Sequence, residues 1–299
     1  MKTYPSKILL FGEYTIIRNS SALAMPYKHY QSFWSDEEDI DSEFKNYIDE
    51  DFSKNCLQNI FEDLKKLKKP RLVLAKMRQQ LDDGLWFSSD APLGYGLGSS
   101  GAISAAIYER YVQKKATKLP QLKQELARIE NSFHGKSSGI DPLISYTNSA
   151  LWVHADKSIE KVTLPESLDK GTIFLVNSNQ PRVSTPLINF FMEQCKDPDF
   201  IEEFVQPVSE SVEKAIQALI NNDFPTLIYH ASMISELEFM YLPPMVTLEM
   251  RDLWMLGIES QEFYLKICGA GGGGFILGFT EDWENVKHYF EDYETKILF

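Results

Sequence analysis

Residues 92–101 read Pro92-Leu93-Gly94-Tyr95-Gly96-Leu97-Gly98-Ser99-Ser100-Gly101, and a helix-forming run, Ala102 to Tyr111, follows at once. Glycines let a backbone bend and approach a ligand without a Cβ clash. Several amide N–H groups can then point into one concavity, and the helix behind adds its positive end. The result is an anion cradle, with Ser99 and Ser100 adding hydroxyls for phosphate or metal. Gly96-x-Gly98-x-x-Gly101 also satisfies the dinucleotide fingerprint, but that motif needs a strand ending in an acidic residue about 20 positions on. Lys114-Lys115-Ala116-Thr117-Lys118 follows instead, with no strand pattern, so the dinucleotide reading is rejected. Walker A requires Gly-Lys-Ser/Thr, whereas Ser99 follows Gly98. A tight turn with no ligand is the plain alternative; four glycines and two serines ahead of a helix favour a phosphate loop.

Outward from this loop the chain mixes strands and helices without strict alternation. Lys7 to Phe11 and Ala22 to Ala24 read as strands, as do Arg71 to Met77, Leu85 to Ser88, Ala150 to Val153, Thr172 to Asn177 and Phe275 to Phe279. Leu57, Ile60, Phe61, Leu64 and Leu67 recur at helical spacing over 56–69. Lys65, Lys66, Lys68 and Lys69 fit a charged helix end there. Gln121 to Phe133, 199–222 and about 225–240 are further helices. This order predicts an α+β fold. Polar Asp156 to Lys170 suits a boundary between two lobes.

The net charge of −13 makes nucleic acid and anionic lipid poor partners. Nine acidic residues between Asp36 and Asp51, against Lys45 alone, read as a solvated face. Cys56, Cys195 and Cys268 are scattered and odd in number, which suits reduced thiols in the cytoplasm better than a disulfide framework or zinc site. No signal-peptide core and no membrane-length apolar run is expected.

A second glycine run, Gly269-Ala270-Gly271-Gly272-Gly273-Gly274, lies between two apolar stretches. So many glycines weaken a strand pair, which points to close backbone approach rather than a simple hairpin. Three blocks in order then resemble the three motifs of the GHMP kinases: Pro5-Ser6-Lys7-Ile8-Leu9-Leu10-Phe11-Gly12-Glu13, the Pro92 to Ser100 loop, and Lys266 to Gly274. His134-Gly135-Lys136-Ser137-Ser138-Gly139-Ile140-Asp141 and the four consecutive glycines most resemble the mevalonate kinase branch. Two positions depart from the usual pattern: Ser6 stands in place of glycine, and Tyr14 in place of the histidine after Gly-Glu.

The resemblance implies a two-lobed GHMP kinase fold, with a ribosomal protein S5-like lobe over 1–160 and a ferredoxin-like α/β sandwich lobe over 161–299. It implies an ATP- and Mg2+-dependent transfer to a hydroxyl, with mevalonate as acceptor. Other acceptors (phosphomevalonate, a sugar, homoserine) and a silent nucleotide-binding regulator stay open. Asp141 would be the general base and Lys7 its neighbour; Gly94, Tyr95, Gly96, Leu97, Gly98, Ser99, Ser100 and Gly101 would cradle ATP. Ser100 and Glu130 would hold magnesium, and Glu13, Tyr14, Gly271 and Gly272 would line the acceptor side. A homodimer is carried as a partner expectation. Without the resemblance, Asp141 before Pro142 reads equally as a turn residue, Lys7 and Glu130 as surface charges, and His134 as structural.

Overall fold

The computed structural model describes residues 2–36, 50–66, 72–91, 95–134, 137–181 and 184–299, with the side chains of His134 and Ser184 outside the description. Several sequence expectations fall outside these residues: most of the acidic Asp36 to Asp51 segment, Leu67 to Lys69, Arg71, Pro92 to Gly94, and Gly135 and Lys136.

Two compact units divide the chain. The first comprises Met1–Ile8, Met25–Leu93 and Leu97–Ser149, and the second Leu9–Ala24, Gly94–Gly96 and Ala150–Phe299. Strands β1 (Tyr4–Phe11) and β2 (Ala22–Trp34) each contribute residues to both.

In the first unit, β2 pairs antiparallel with β3 (Phe87–Ser89), with Phe33 opposite Ser88. Helix α1 (Glu50–Lys66) buries Leu57, Ile60, Phe61 and Leu64, the stripe its periodicity predicts. Lys65 and Lys66 end it, paired with Glu62 and Asp63 one turn back at 2.9 and 2.7 Å. The segment 71–77, expected as a strand, is different: Leu72 makes one bridge to Val112, and α2 (Leu74–Asp82) follows. Met77 and Leu81, four apart, supply its buried side. The apolar run was too short to separate a helix from a strand by periodicity.

Helix α3 (Ser99–Tyr111) starts at Gly98, whose φ of 76° takes the left-handed turn that glycine tolerates best. Gly101, Ala102, Ser104, Ala105 and Ala106 are all buried, so neighbouring helices come close. These are α4 (Leu119–His134) and α5 (Ile140–Thr147). No strand follows α3 before α4 among the described residues, in keeping with rejection of the dinucleotide motif.

In the second unit, Ala22–Ala24 of β2 pair antiparallel with β4 (Ala150–Val153), which pairs with β5 (Ile159–Val162). Strand β5 lies inside the polar segment expected as a boundary. It is a half-exposed strand, closed by a turn in which His154 N–H donates to Ser158 O at 3.0 Å and Ser158 N–H to Asp156 Oδ1 at 2.8 Å.

A four-stranded antiparallel sheet, order β7-β8-β6-β9, is built from β6 (Thr172–Asn177), β7 (Phe263–Ile267), β8 (Phe275–Thr280) and β9 (Thr295–Ile297). Around these strands the second unit carries α6 (Ser184–Gln194), α7 (Pro198–Phe200), a π-helical turn (Ile201–Val205) and α8 (Gln206–Ile220). Then come α9 (Phe224–Tyr241), α10 (Leu248–Ser260) and α11 (Trp283–Val286). Phe174, Phe263, Leu265, Leu277 and Phe279 are fully buried in this unit. The class is α+β, and no disulfide joins Cys56, Cys195 and Cys268. No helix among the described residues is long and apolar enough to cross a membrane.

Candidate active site

The N-termini of two helices meet around one ion pair in the first unit. Lys7, in the middle of β1, donates its backbone N–H to Leu97 O at 2.9 Å, which ties the strand to the phosphate loop. Its side chain is 11% exposed and places Nζ 3.3 Å from Asp141 Oδ2, whose side chain is 34% exposed. The base candidate is therefore open to a ligand while its cation is shielded.

Asp141 lies in the first turn of α5, behind Gly139 at φ 75°. Pro142 follows within that same turn, where its missing N–H costs nothing. A β-carbon on Gly98 would stand 2.9 Å from Lys7 Cγ and 3.4 Å from Asp141 Oδ2. One on Gly139 would meet Lys123 O of α4 at 2.5 Å. Glycine at these points is what lets α3, α4 and α5 converge.

Glu130, on α4, is buried and accepts a hydrogen bond from Ser100 Oγ at 3.1 Å. Its other oxygen accepts from Ser137 Oγ, which also receives Gly139 N–H at 2.9 Å. Burial, then the nearby Asp141 carboxylate, push Glu130 up to about 7, against the two serines and Lys7. Magnesium takes oxygen ligands, usually one or two carboxylates plus phosphates and water. A buried hydroxyl–carboxylate pair beside a second carboxylate fits that demand, because a cation would relieve the repulsion. No cluster of three or more acidic, histidine or cysteine ligands exists among the described residues, so the site is no all-protein cage.

Of the expected ATP loop, Leu97, Gly98, Ser100 and Gly101 adjoin Lys7, Asp141 or Glu130 in the first unit. Tyr95 and Gly96 belong to the second unit, and Gly94 lies outside the described residues. Ser99 and Ser100 form the first turn of α3, with Gly96 and Gly98 both at positive φ.

The other expected residues cluster in the second unit around a charged group that sequence reasoning missed. Lys266, fully buried on β7, donates to Glu13 Oε2 at 2.5 Å and to Ile267 O at 2.6 Å. Glu13 Oε1 accepts Gly269 N–H at 3.2 Å, and Glu238 of α9 accepts Ile267 N–H at 2.7 Å. Burial opposes the charge on Lys266, yet Glu13 and Glu238 together hold its pKa above the usual range. Burial raises Glu238 to about 8 in spite of Lys266, and Glu13 adds to the rise. The clue in the sequence was an acidic residue, Glu238, on the inward stripe of an apolar helix.

Tyr14, at φ 60° and ψ −52°, donates its hydroxyl to Ala270 O and sets its ring 5.1 Å from Phe191. Gly271 is buried against Met245, and Gly272 N–H donates to Met245 O at 2.6 Å.

A family model described as the GHMP kinases N terminal domain covers residues 55–148. Mevalonate kinase of Pyrococcus abyssi is 24% identical over 306 residues, spanning 90% of this chain and 85% of its own. The fold resembles that of mevalonate kinase from methicillin-resistant Staphylococcus aureus, with a TM-score of 0.58, 21% identity and coverage of 99% and 97%. It also resembles Streptococcus pneumoniae phosphomevalonate kinase in complex with phosphomevalonate and AMPPNP, with a TM-score of 0.67, 14% identity and coverage of 99% of each chain. Residues 55–148 thus match the N-terminal domain of the GHMP kinases, and the three glycine-bearing motifs in order resemble those of that family.

Proposed function

We propose that this kinase transfers the γ-phosphoryl group of ATP to the hydroxyl of mevalonate, giving 5-phosphomevalonate. The observation that carries the chemistry is the Lys7 Nζ to Asp141 Oδ2 approach of 3.3 Å at the foot of α3. Mevalonate is supported by relatives that align along most of this chain and bear the name mevalonate kinase.

Phosphoryl transfer asks the protein for positioning, charge neutralisation and an oriented nucleophile. In our reading the acceptor hydroxyl donates to an Asp141 carboxylate oxygen and passes its proton there as the new O–P bond forms. The bond between the γ-phosphorus and the bridging oxygen breaks, and its electron pair leaves with ADP. Lys7 balances the negative charge that builds on the acceptor oxygen. Amides of the expected loop over 94–101 bind the phosphates, those of Leu97 to Gly101 lying at the positive end of α3. Ser100 and Glu130 would hold magnesium, which supplies neutralising charge to the β- and γ-phosphates. Free thiols suit a cytoplasmic setting.

The test is acceptor-dependent ADP release by the purified protein over a panel of mevalonate, phosphomevalonate, galactose and homoserine. Release stimulated by mevalonate above the other three supports the assignment. Stimulation by another alcohol overturns the acceptor, and stimulation by none overturns mevalonate transfer and favours a silent nucleotide-binding regulator.

A further inference from the structure

Two consecutive residues after β1 grip two consecutive residues of the second glycine run. Glu13 accepts Gly269 N–H, and Tyr14 donates to Ala270 O. The 269–274 loop needs such restraint. Gly269, Gly271, Gly272, Gly273 and Gly274 all have positive φ, so their backbone has wide freedom when unheld.

The far end of the loop is pinned as well. Gly274 N–H donates to Gln180 O at 2.7 Å, and Gly274 O accepts from Ser178 N–H at 2.9 Å and Ser178 Oγ at 2.7 Å. That end abuts Tyr95: a β-carbon on Gly274 would stand 3.1 Å from Tyr95 O, and the Tyr95 ring lies 5.8 Å from that of Phe275. Tyr95 is part of the stretch whose amides are assigned to ATP.

We propose that Glu13 and Tyr14 are positioning residues that hold the 269–274 loop against Tyr95, and so set the phosphate-loop backbone for ATP. The inference rests on the kinase reading but concerns nucleotide affinity, whichever alcohol is phosphorylated. It gives Glu13 and Tyr14 a part other than contact with the acceptor.

Three features support it. Both Glu13 carboxylate oxygens are occupied by protein donors, Lys266 and the Gly269 amide, which leaves the group no role that needs exposure. The ion pair is fully buried, with each side chain 1% exposed, so it holds its geometry without screening by salt. Tyr14 keeps a backbone conformation that costs energy for any residue but glycine, and such strain persists where surroundings fix it for a purpose.

The experiment compares affinity for AMPPNP with magnesium, by calorimetry, in the full chain and two variants. Tyr14→Phe removes only the hydroxyl. The double variant Glu13→Leu, Lys266→Met exchanges the ion pair for apolar groups of similar size, which spares the fold an unpaired buried charge. Each is expected to weaken AMPPNP about fivefold, the worth of one hydrogen bond, while Tyr14→Phe melts as the parent does. In turnover, KM for ATP should rise and KM for the acceptor stay constant.

Unchanged AMPPNP affinity in Tyr14→Phe overturns the proposal, as does a loss confined to acceptor KM. If the parent phosphorylates no alcohol, the kinase reading fails, and the AMPPNP comparison still decides the role of the latch. Should the double variant not fold, Tyr14→Phe decides alone.

Discussion

Gly101 lies so close to Asp141 that a β-carbon on it would stand 2.8 Å from the Asp141 carbonyl carbon and 2.9 Å from its Cβ. Real β-carbons do not approach so near, and both partners are held in helices α3 and α5. Gly101→Ala should therefore move Asp141 relative to Lys7. We expect kcat to fall about 100-fold, the scale of a 1 Å misplacement, with AMPPNP affinity changed far less. Steady-state kinetics beside calorimetry would check it.

Asp141→Asn keeps the shape of the side chain and removes the proton acceptor. Transfer should drop by about 10²–10⁴-fold, the contribution of general base catalysis. AMPPNP should still bind. Near-parental turnover in this variant would exclude Asp141 as the base.

Glu130→Gln retains partners for Ser100 and Ser137 but removes the negative charge between them. The magnesium concentration for half-maximal activity should rise about tenfold or more, as for loss of a charged contact. A magnesium titration at saturating ATP would show it. An unchanged midpoint would mean that the metal is held elsewhere.

Glu238 gives a pH signature separate from catalysis. Its folded pKa of about 8 lies above the ordinary value of 4.5. Below 4.5 the group is protonated in both states. As pH rises towards 8 the unfolded chain releases the proton while the folded chain keeps it, so stability declines across that window. Glu238→Gln cannot titrate and can still accept Ile267 N–H. Melting temperatures between pH 5 and 9 should fall by several degrees less in the variant than in the parent. Parallel curves would refute a protonated Glu238.

Much of the candidate cluster could be named from the sequence because glycine spacing is a local signal. A run that places Gly98 and Gly101 ahead of small residues specifies both a helix start and a close approach, whereas Lys7, Glu130 and Asp141 were singled out only by the family resemblance. Segment 71–77 misled because a short apolar run does not separate strand from helix, and contacts made by Met77 and Leu81 decide it. Strand β5 was hidden by polar composition, since a half-exposed strand has little apolar face to reveal it. The Glu13–Lys266–Glu238 group joins residues far apart in the chain, and no local pattern announces a pairing of that separation.

The interleaving of the two units bears on how the chain acquires its structure during synthesis. Leu9–Ala24 emerge from the ribosome early, yet their companions, from Ala150 onward, are made last. Strand β4, which flanks Ala22–Ala24, and Lys266, which neutralises Glu13, both lie in that late portion. Contacts of such long sequence separation form slowly. The early segment must therefore wait with an open strand edge and an unmatched acid, and a nascent chain halted before Ala150 is a natural client for chaperones.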